Sequence, residues 1–212
     1  INLGQNTLGV QAASKRYFNK DVKDLTLSEC VTIAAITKSP SGYNPITNPE
    51  ANAKRREKVL NDMLKQGYIT QEEMNTALAE EVVKMLKNAG MTVTTVESCT
   101  GGLLSGTLVD VAGVSEVLNQ AYVTYANGAK QSLVGVKAET LEAYGAVSEQ
   151  TAREMAEGGA KAANADAALA VTGIAGPDGG TAEKPVGLVY IGCHVNGNTV
   201  IERNVFSGTR RE

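Results

Sequence analysis

From Met91 onward the chain alternates short β-rich runs with helical ones, and this alternation limits the fold more than any other feature. The β runs are Thr92–Glu97, Ala121–Tyr125, Ala167–Thr172, Val186–Val195 and Thr199–Phe206. Between them lie helical runs at Gly102–Val111, Asn127–Val134 and Ser148–Ala163. A strand cannot return parallel to itself without a crossover, so the pattern predicts a parallel or mixed β-sheet flanked by helices, an α/β fold. Asn196-Gly197 is a two-residue hairpin signal, because both residues tolerate the positive φ of a type I′ turn. The last two strands should therefore be antiparallel neighbours. Apolar residues at 42%, aromatics at only 4% and 22 glycines suit such a sheet, rich in Ala and Val, with glycine where strands turn into helices.

The first eighty residues have a different texture and read as helices alone. Thr26-Leu-Ser-Glu29 and Thr70-Gln-Glu-Glu73 are capping boxes, in which Thr and Glu satisfy each other's backbone donors. Pro49 occupies a tolerated first helical position and Gly67 marks a stop after Glu50–Gln66. Lys54-Arg55-Arg56 shares its helix with Glu50, Glu57 and Asp62 and is expected to form a solvated face rather than a phosphate site. Met74, Leu78, Val82, Leu86 and Ala89 keep helical spacing across Glu80–Glu81, so one helix from Thr70 to Ala89 should join the segment 1–80 to the domain 81–212.

A formal net charge of −3 argues against a nucleic-acid partner, which calls for a basic face. No apolar run approaches the roughly 18 residues of a membrane span, and no signal peptide is visible, so no membrane association is expected. Cys30, Cys99 and Cys193 are sparse and odd in number, which favours reduced thiols and a cytoplasmic setting.

Three segments leave strands carrying chemistry. Glu97-Ser-Cys-Thr-Gly-Gly102 presents Ser98 at the carboxyl end of a strand, where α/β folds place ligands, and its glycines allow close backbone approach. Thr124-Tyr125-Ala-Asn-Gly-Ala-Lys130 enters a helix with Asn127 as a candidate N-cap. Lys130 then falls in the first turn, where the helix dipole disfavours a cation and helps keep an amine neutral. Tyr125 leads into the same turn and is a candidate proton relay or lysine holder. Val171-Thr-Gly-Ile-Ala-Gly-Pro-Asp-Gly-Gly180 offers glycines for an anion nest or mobile wall, with Asp178 read as a turn residue rather than a metal ligand. His194, the only histidine, sits in a β run and is expected to be packed or at a sheet edge rather than catalytic. Cys99 is expected to be a small packed residue.

Taken together with Leu133-Val-Gly-Val136, Gly145-Ala-Val-Ser148 and Lys184-Pro-Val-Gly187, these segments resemble the C-terminal domain of the CinA/PncC family over about residues 81–208. The resemblance implies hydrolysis of the carboxamide of nicotinamide mononucleotide to the acid and ammonia. It implies Ser98 as nucleophile, Lys130 as base and Tyr125 in support, with no metal and no cofactor. Substrate contacts are expected from Glu97, Thr100, Gly101, Gly102, Thr172, Gly173, Ala175, Gly176 and Arg210. Oxyanion donors are expected after Ser98 and near Gly173. The partner implied is a small-molecule nucleotide, and the family suggests a homodimer. Where the family reads Gly-Asp-Arg this chain has Gly208-Thr209-Arg210, and the closing helix that follows in the family is not expected here.

Gly9-Val-Gln-Ala-Ala-Ser-Lys-Arg-Tyr-Phe18, Leu25-Thr-Leu-Ser-Glu29 and Ser39-Pro-Ser-Gly-Tyr-Asn-Pro45 resemble the end of the glycosyltransferase domain of class A penicillin-binding proteins. The family's catalytic glutamates lie upstream of this stretch, so residues 1–80 are expected to be a helical remnant without that chemistry. The alternative for the whole chain is a catalytically silent chimera or engineered fusion that keeps only the folds.

Overall fold

A computed structural model describes residues 1–208. The chain divides into two compact units, Ile1–Val82 and Val83–Glu212. The first contains α1 (Val10–Phe18), α2 (Leu27–Ile36), α3 (Pro49–Lys65) and most of α4 (Gln71–Ala89). Both capping boxes form: Thr26 N–H donates to Glu29 and Glu29 N–H to Thr26 Oγ1, and the same exchange joins Thr70 and Glu73. Pro49 is the first residue of α3. The core of this unit packs Val31, Leu60, Ile69, Met74 and Ala77, while Leu3, Ala13, Ile33 and Ile36 form a second cluster. α4 runs unbroken through Glu80–Glu81, as its apolar period predicts.

The basic run on α3 departs from expectation. Arg56 is largely buried, pairs with Glu81 and donates to Thr32 Oγ1 at 3.1 Å. Burial pushes its guanidinium down to about 10. Its neighbours in sequence suggest a solvated face, but the helix turns Arg56 inward to an acidic partner on α4.

The second unit continues with β1 (Val93–Glu97), α5 (Leu103–Val109), β2 (Leu118–Val123), α6 (Asn127–Val134), α7 (Ala138–Tyr144), α8 (Glu149–Ala163), β3 (Ala167–Gly173), β4 (Leu188–Val195) and β5 (Asn198–Val205). The five strands form one sheet in the order β2-β1-β3-β4-β5. β1 pairs in parallel with β2 and β3, whereas β4 and β5 are antiparallel. The sheet is therefore mixed. Asn196 and Gly197 make the β4–β5 turn with φ of 49° and 82°.

α8 carries the packing. Ala152, Met155, Ala156, Gly159 and Ala160 recur on one buried face, which lies against the strands. Gly158 lets α8 meet the end of α6 closely, since a Cβ there would fall 1.8 Å from the Val134 carbonyl oxygen. The core joins Val96, Tyr122, Ala170, Met155 and Ala156 to Val134, Val136 and Leu141.

Three local features differ from the sequence reading. β2 starts three residues and ends two residues earlier than expected, and Thr124 N–H makes one further ladder-like bond to the Glu97 carbonyl at 2.7 Å beyond its end. Ala126, not Asn127, is the N-cap of α6, and Asn127 is its first helical residue. α7 forms in a stretch where no helix is expected, tied to α8 by Thr140 Oγ1 donating to Glu154 at 2.8 Å.

Candidate active site

β1 is central among the parallel strands. The chain leaves it toward β2 on one side and reaches β3 on the other, so a crevice opens at the carboxyl end of β1. Ser98 follows β1, held by its N–H donating to the Val171 carbonyl at 2.9 Å. The turn after it places Gly101 at φ 60° and Gly102 at φ 105°, backbone that suits glycine.

Glu97 governs this turn from beneath. It is fully buried, and its Oε2 accepts from Gly102 N and Leu104 N at 3.0 Å each. Its Oε1 accepts from Ser105 N at 2.8 Å and Ser105 Oγ at 2.5 Å. Burial alone would raise this carboxyl. Hydrogen bonds from the Ser105 hydroxyl and the backbone N–H groups outweigh it and hold Glu97 below the ordinary glutamate value. Both oxygens of Glu97, an expected substrate contact, accept from the start of α5.

Lys130 rises from the first turn of α6 and is buried to 1% exposure. Its Nζ lies 3.0 Å from Ser98 Oγ, 2.8 Å from the Thr124 carbonyl oxygen and 3.4 Å from the Tyr125 carbonyl oxygen. Burial pushes the amine down from the usual lysine value, opposed by the Cys99 thiol. Nζ thus donates to the Ser98 hydroxyl and to two carbonyl oxygens with no carboxylate among these partners, and burial eases loss of its proton relative to an exposed lysine. The part of Tyr125 that meets Lys130 is its backbone carbonyl; the residue itself is mostly exposed at the cavity rim.

A cavity of about 280 Å³ opens above this pair. Ser98, Cys99 and Lys130 form its base, Tyr125 part of its rim, Ala146 and Val147 one wall, and Thr172–Gly176 with Asp178 and Gly179 the other. Of the expected contact residues, Thr172, Gly173, Ala175 and Gly176 line it. Thr100, Gly101 and Gly102 do not: with the Glu97 carboxylate drawing the turn toward α5, they lie outside the lining. Arg210 lies outside the described residues. The Thr172 hydroxyl is committed to the Ala146 carbonyl at 2.7 Å, and Ile174 N–H to the Leu188 carbonyl at 2.9 Å.

Sequence reasoning missed Thr124, whose contribution is a backbone carbonyl and leaves no side-chain signal. It also missed Ala146 and Val147, brought in from the far side of α7. Cys99 and Asp178 both line the cavity, although one is expected to be packed and the other to be a simple turn residue. His194 is half-buried on β4 away from the cavity, with Nδ1 2.8 Å from Thr199 Oγ1, which in turn donates to Glu157. Among the described residues no group of three or more His, Cys, Asp or Glu converges to hold a metal, and no helix is long and apolar enough to cross a membrane.

Comparison with known proteins accords with this architecture. The transglycosylase family model matches residues 1–64. A CinA-like protein of Kosmotoga olearia is 53% identical over 136 residues, covering 64% of this chain and 33% of its own length. The chain spans about a third to a half of the length of the curated relatives it matches. Among solved structures, the competence/damage inducible protein CihA from Agrobacterium tumefaciens shares 45% identity at a TM-score of 0.63, covering 65% of this chain and 84% of that one. A CinA superfamily protein from Escherichia coli shares 32% identity at a TM-score of 0.64, covering 68% and 83%. The CinA C-terminal domain model matches residues 75–212, nearly two thirds of the sequence, and the chain belongs to that family.

Proposed function

We propose that the chain hydrolyses the carboxamide of nicotinamide mononucleotide to nicotinic acid mononucleotide and ammonia, with Ser98 as nucleophile and Lys130 as base. The observation that carries this reading is the 3.0 Å contact between a buried lysine amine and a serine hydroxyl at the floor of a cavity. A serine hydroxyl is a weak nucleophile until a neighbouring base takes its proton.

In the first half-reaction Lys130 Nζ accepts the Ser98 proton as Oγ bonds to the carboxamide carbon. The resulting oxyanion is stabilised by a backbone N–H donor at the start of the turn, next to Ser98. Collapse of the tetrahedral intermediate breaks the C–N bond, and the lysine ammonium returns its proton to the departing nitrogen, releasing ammonia and leaving an ester on Ser98. In the second half Lys130 accepts a proton from water as its oxygen attacks the ester, and the carboxylate leaves as Ser98 regains its proton. The Thr124 and Tyr125 carbonyls orient the amine throughout, and Tyr125 frames the entrance. The cavity walls from Thr172 to Gly176 hold the nucleotide. We place this chemistry in the cytoplasm, in keeping with three cysteines that form no disulfide.

The purified full chain incubated with nicotinamide mononucleotide should release ammonia and nicotinic acid mononucleotide in equal amounts, read by coupled assay and chromatography. No product above a buffer control would refute the proposal.

A further inference from the structure

The segment between α7 and α8 forms one cavity wall yet belongs to no sheet or helix, so its carbonyls need partners from elsewhere. Side chains supply those of Gly145, Ala146 and Val147. Gly145 O accepts from Ser148 Oγ at 3.0 Å and Thr151 Oγ1 at 2.8 Å, and Ala146 O accepts from Thr172 Oγ1. Tyr144 O and Val147 O both accept from Lys184 Nζ, at 2.7 and 2.8 Å. Lys184 belongs to the loop that forms the opposite wall, and it makes no ion pair among the described residues.

We propose that Lys184 is a positioning residue that straps the two cavity walls together and thereby sets substrate affinity. The local turn orients it: Thr181 N–H donates to Lys184 O at 2.8 Å, and Lys184 N–H to Thr181 Oγ1 at 3.0 Å. The receiving side is shaped to match. Gly145 has φ +76°, and a Cβ there would come within 3.3 Å of Lys184 Nζ. Tyr144 O is also the last carbonyl of α7, the negative end of that helix, where a cation is favoured. Without the strap, the loop bearing Ala175, Gly176 and Asp178 must be ordered by the substrate itself, which weakens binding. Ser98, Lys130 and Thr124 stand on other elements, so the chemical step is left largely intact.

The link to affinity rests on the proposed nucleotide site, so the test has one arm that needs substrate and one that does not. Lys184→Met in the full chain should raise KM for nicotinamide mononucleotide about tenfold while kcat stays within about threefold, as expected for lost binding shared by ground and transition states. Lys184→Arg, which keeps two donors, should recover most of the loss. In substrate-free protein, amide exchange of Ile174, Thr181 and Gly187 should quicken about tenfold in the Met variant, with α8 unchanged. Should Lys184→Met fail to fold, Lys184→Gln serves for the same readouts. Wild-type KM with wild-type exchange would overturn the strap, as would a fall in kcat alone. Faster exchange in a protein inert toward nicotinamide mononucleotide would support the strap and refute the substrate.

Discussion

Replacing Glu97 by Gln tests whether a buried carboxylate builds the turn that carries Ser98. The carboxylate accepts through both oxygens, from two backbone N–H groups on one and from Ser105 N–H and Oγ on the other. A glutamine has one acceptor oxygen, and its NH₂ must face donors on whichever side it takes. One pair of bonds is therefore lost at full burial. Hydrogen bonds to a charged group contribute about 1.5–3 kcal/mol each, so a destabilisation of about 3 kcal/mol is expected, with a melting shift of roughly 10 °C for this size. The sign with pH follows from the lowered carboxyl. Its stabilisation is fully present above the unfolded value of 4.5 and is lost as pH falls through the lower folded value. Thermal melts of both proteins at pH 7, repeated in steps below pH 4.5, should show a gap that narrows on acidification. Equal melting at pH 7, or a gap that widens in acid, would refute this account of the turn.

Lys130→Arg should be nearly as inactive as Lys130→Ala, since a guanidinium does not deprotonate at working pH; an active Arg variant would leave the lysine a mere binding charge. Wild-type kcat/KM should rise with pH as Lys130 loses its proton at a value lowered by burial, and a flat profile from about pH 6 to 9 would contradict a lysine base. Gly158→Ala should destabilise the second unit by about 2 kcal/mol or more, because its Cβ would collide with the Val134 carbonyl; a wild-type melting curve would show that α6 and α8 can separate without cost.

Features that depend on a few adjacent residues were legible in the sequence. The capping boxes at Thr26 and Thr70, the Asn196-Gly197 hairpin and the unbroken α4 each follow from local backbone chemistry, and each forms. The Ser98 and Lys130 segments stood out because each leaves a strand for a helix. What escaped detection depends on long-range assembly. α7 is only seven residues long, and its Ala, Glu and Leu content gives too short a period to separate it from loop. β2 is an edge strand with exposed Asn119 and Gln120, so no apolar alternation marks its start. Glu97 stands out only through the family resemblance, and nothing adjacent in sequence announces that its carboxylate gathers the N–H groups that open α5. Arg56 looked solvated until α4 brought Glu81 to it.

The measurement that bears most directly on the central claim is the rate of ammonia release from nicotinamide mononucleotide by the full chain, beside a Ser98→Ala variant shown by its melting curve to be folded. Loss of the nucleophile in a serine hydrolase costs about 10⁶ in kcat. The account predicts steady release by the wild type and none measurable from the variant. A folded Ser98→Ala protein working within about tenfold of wild type would contradict covalent catalysis at Ser98.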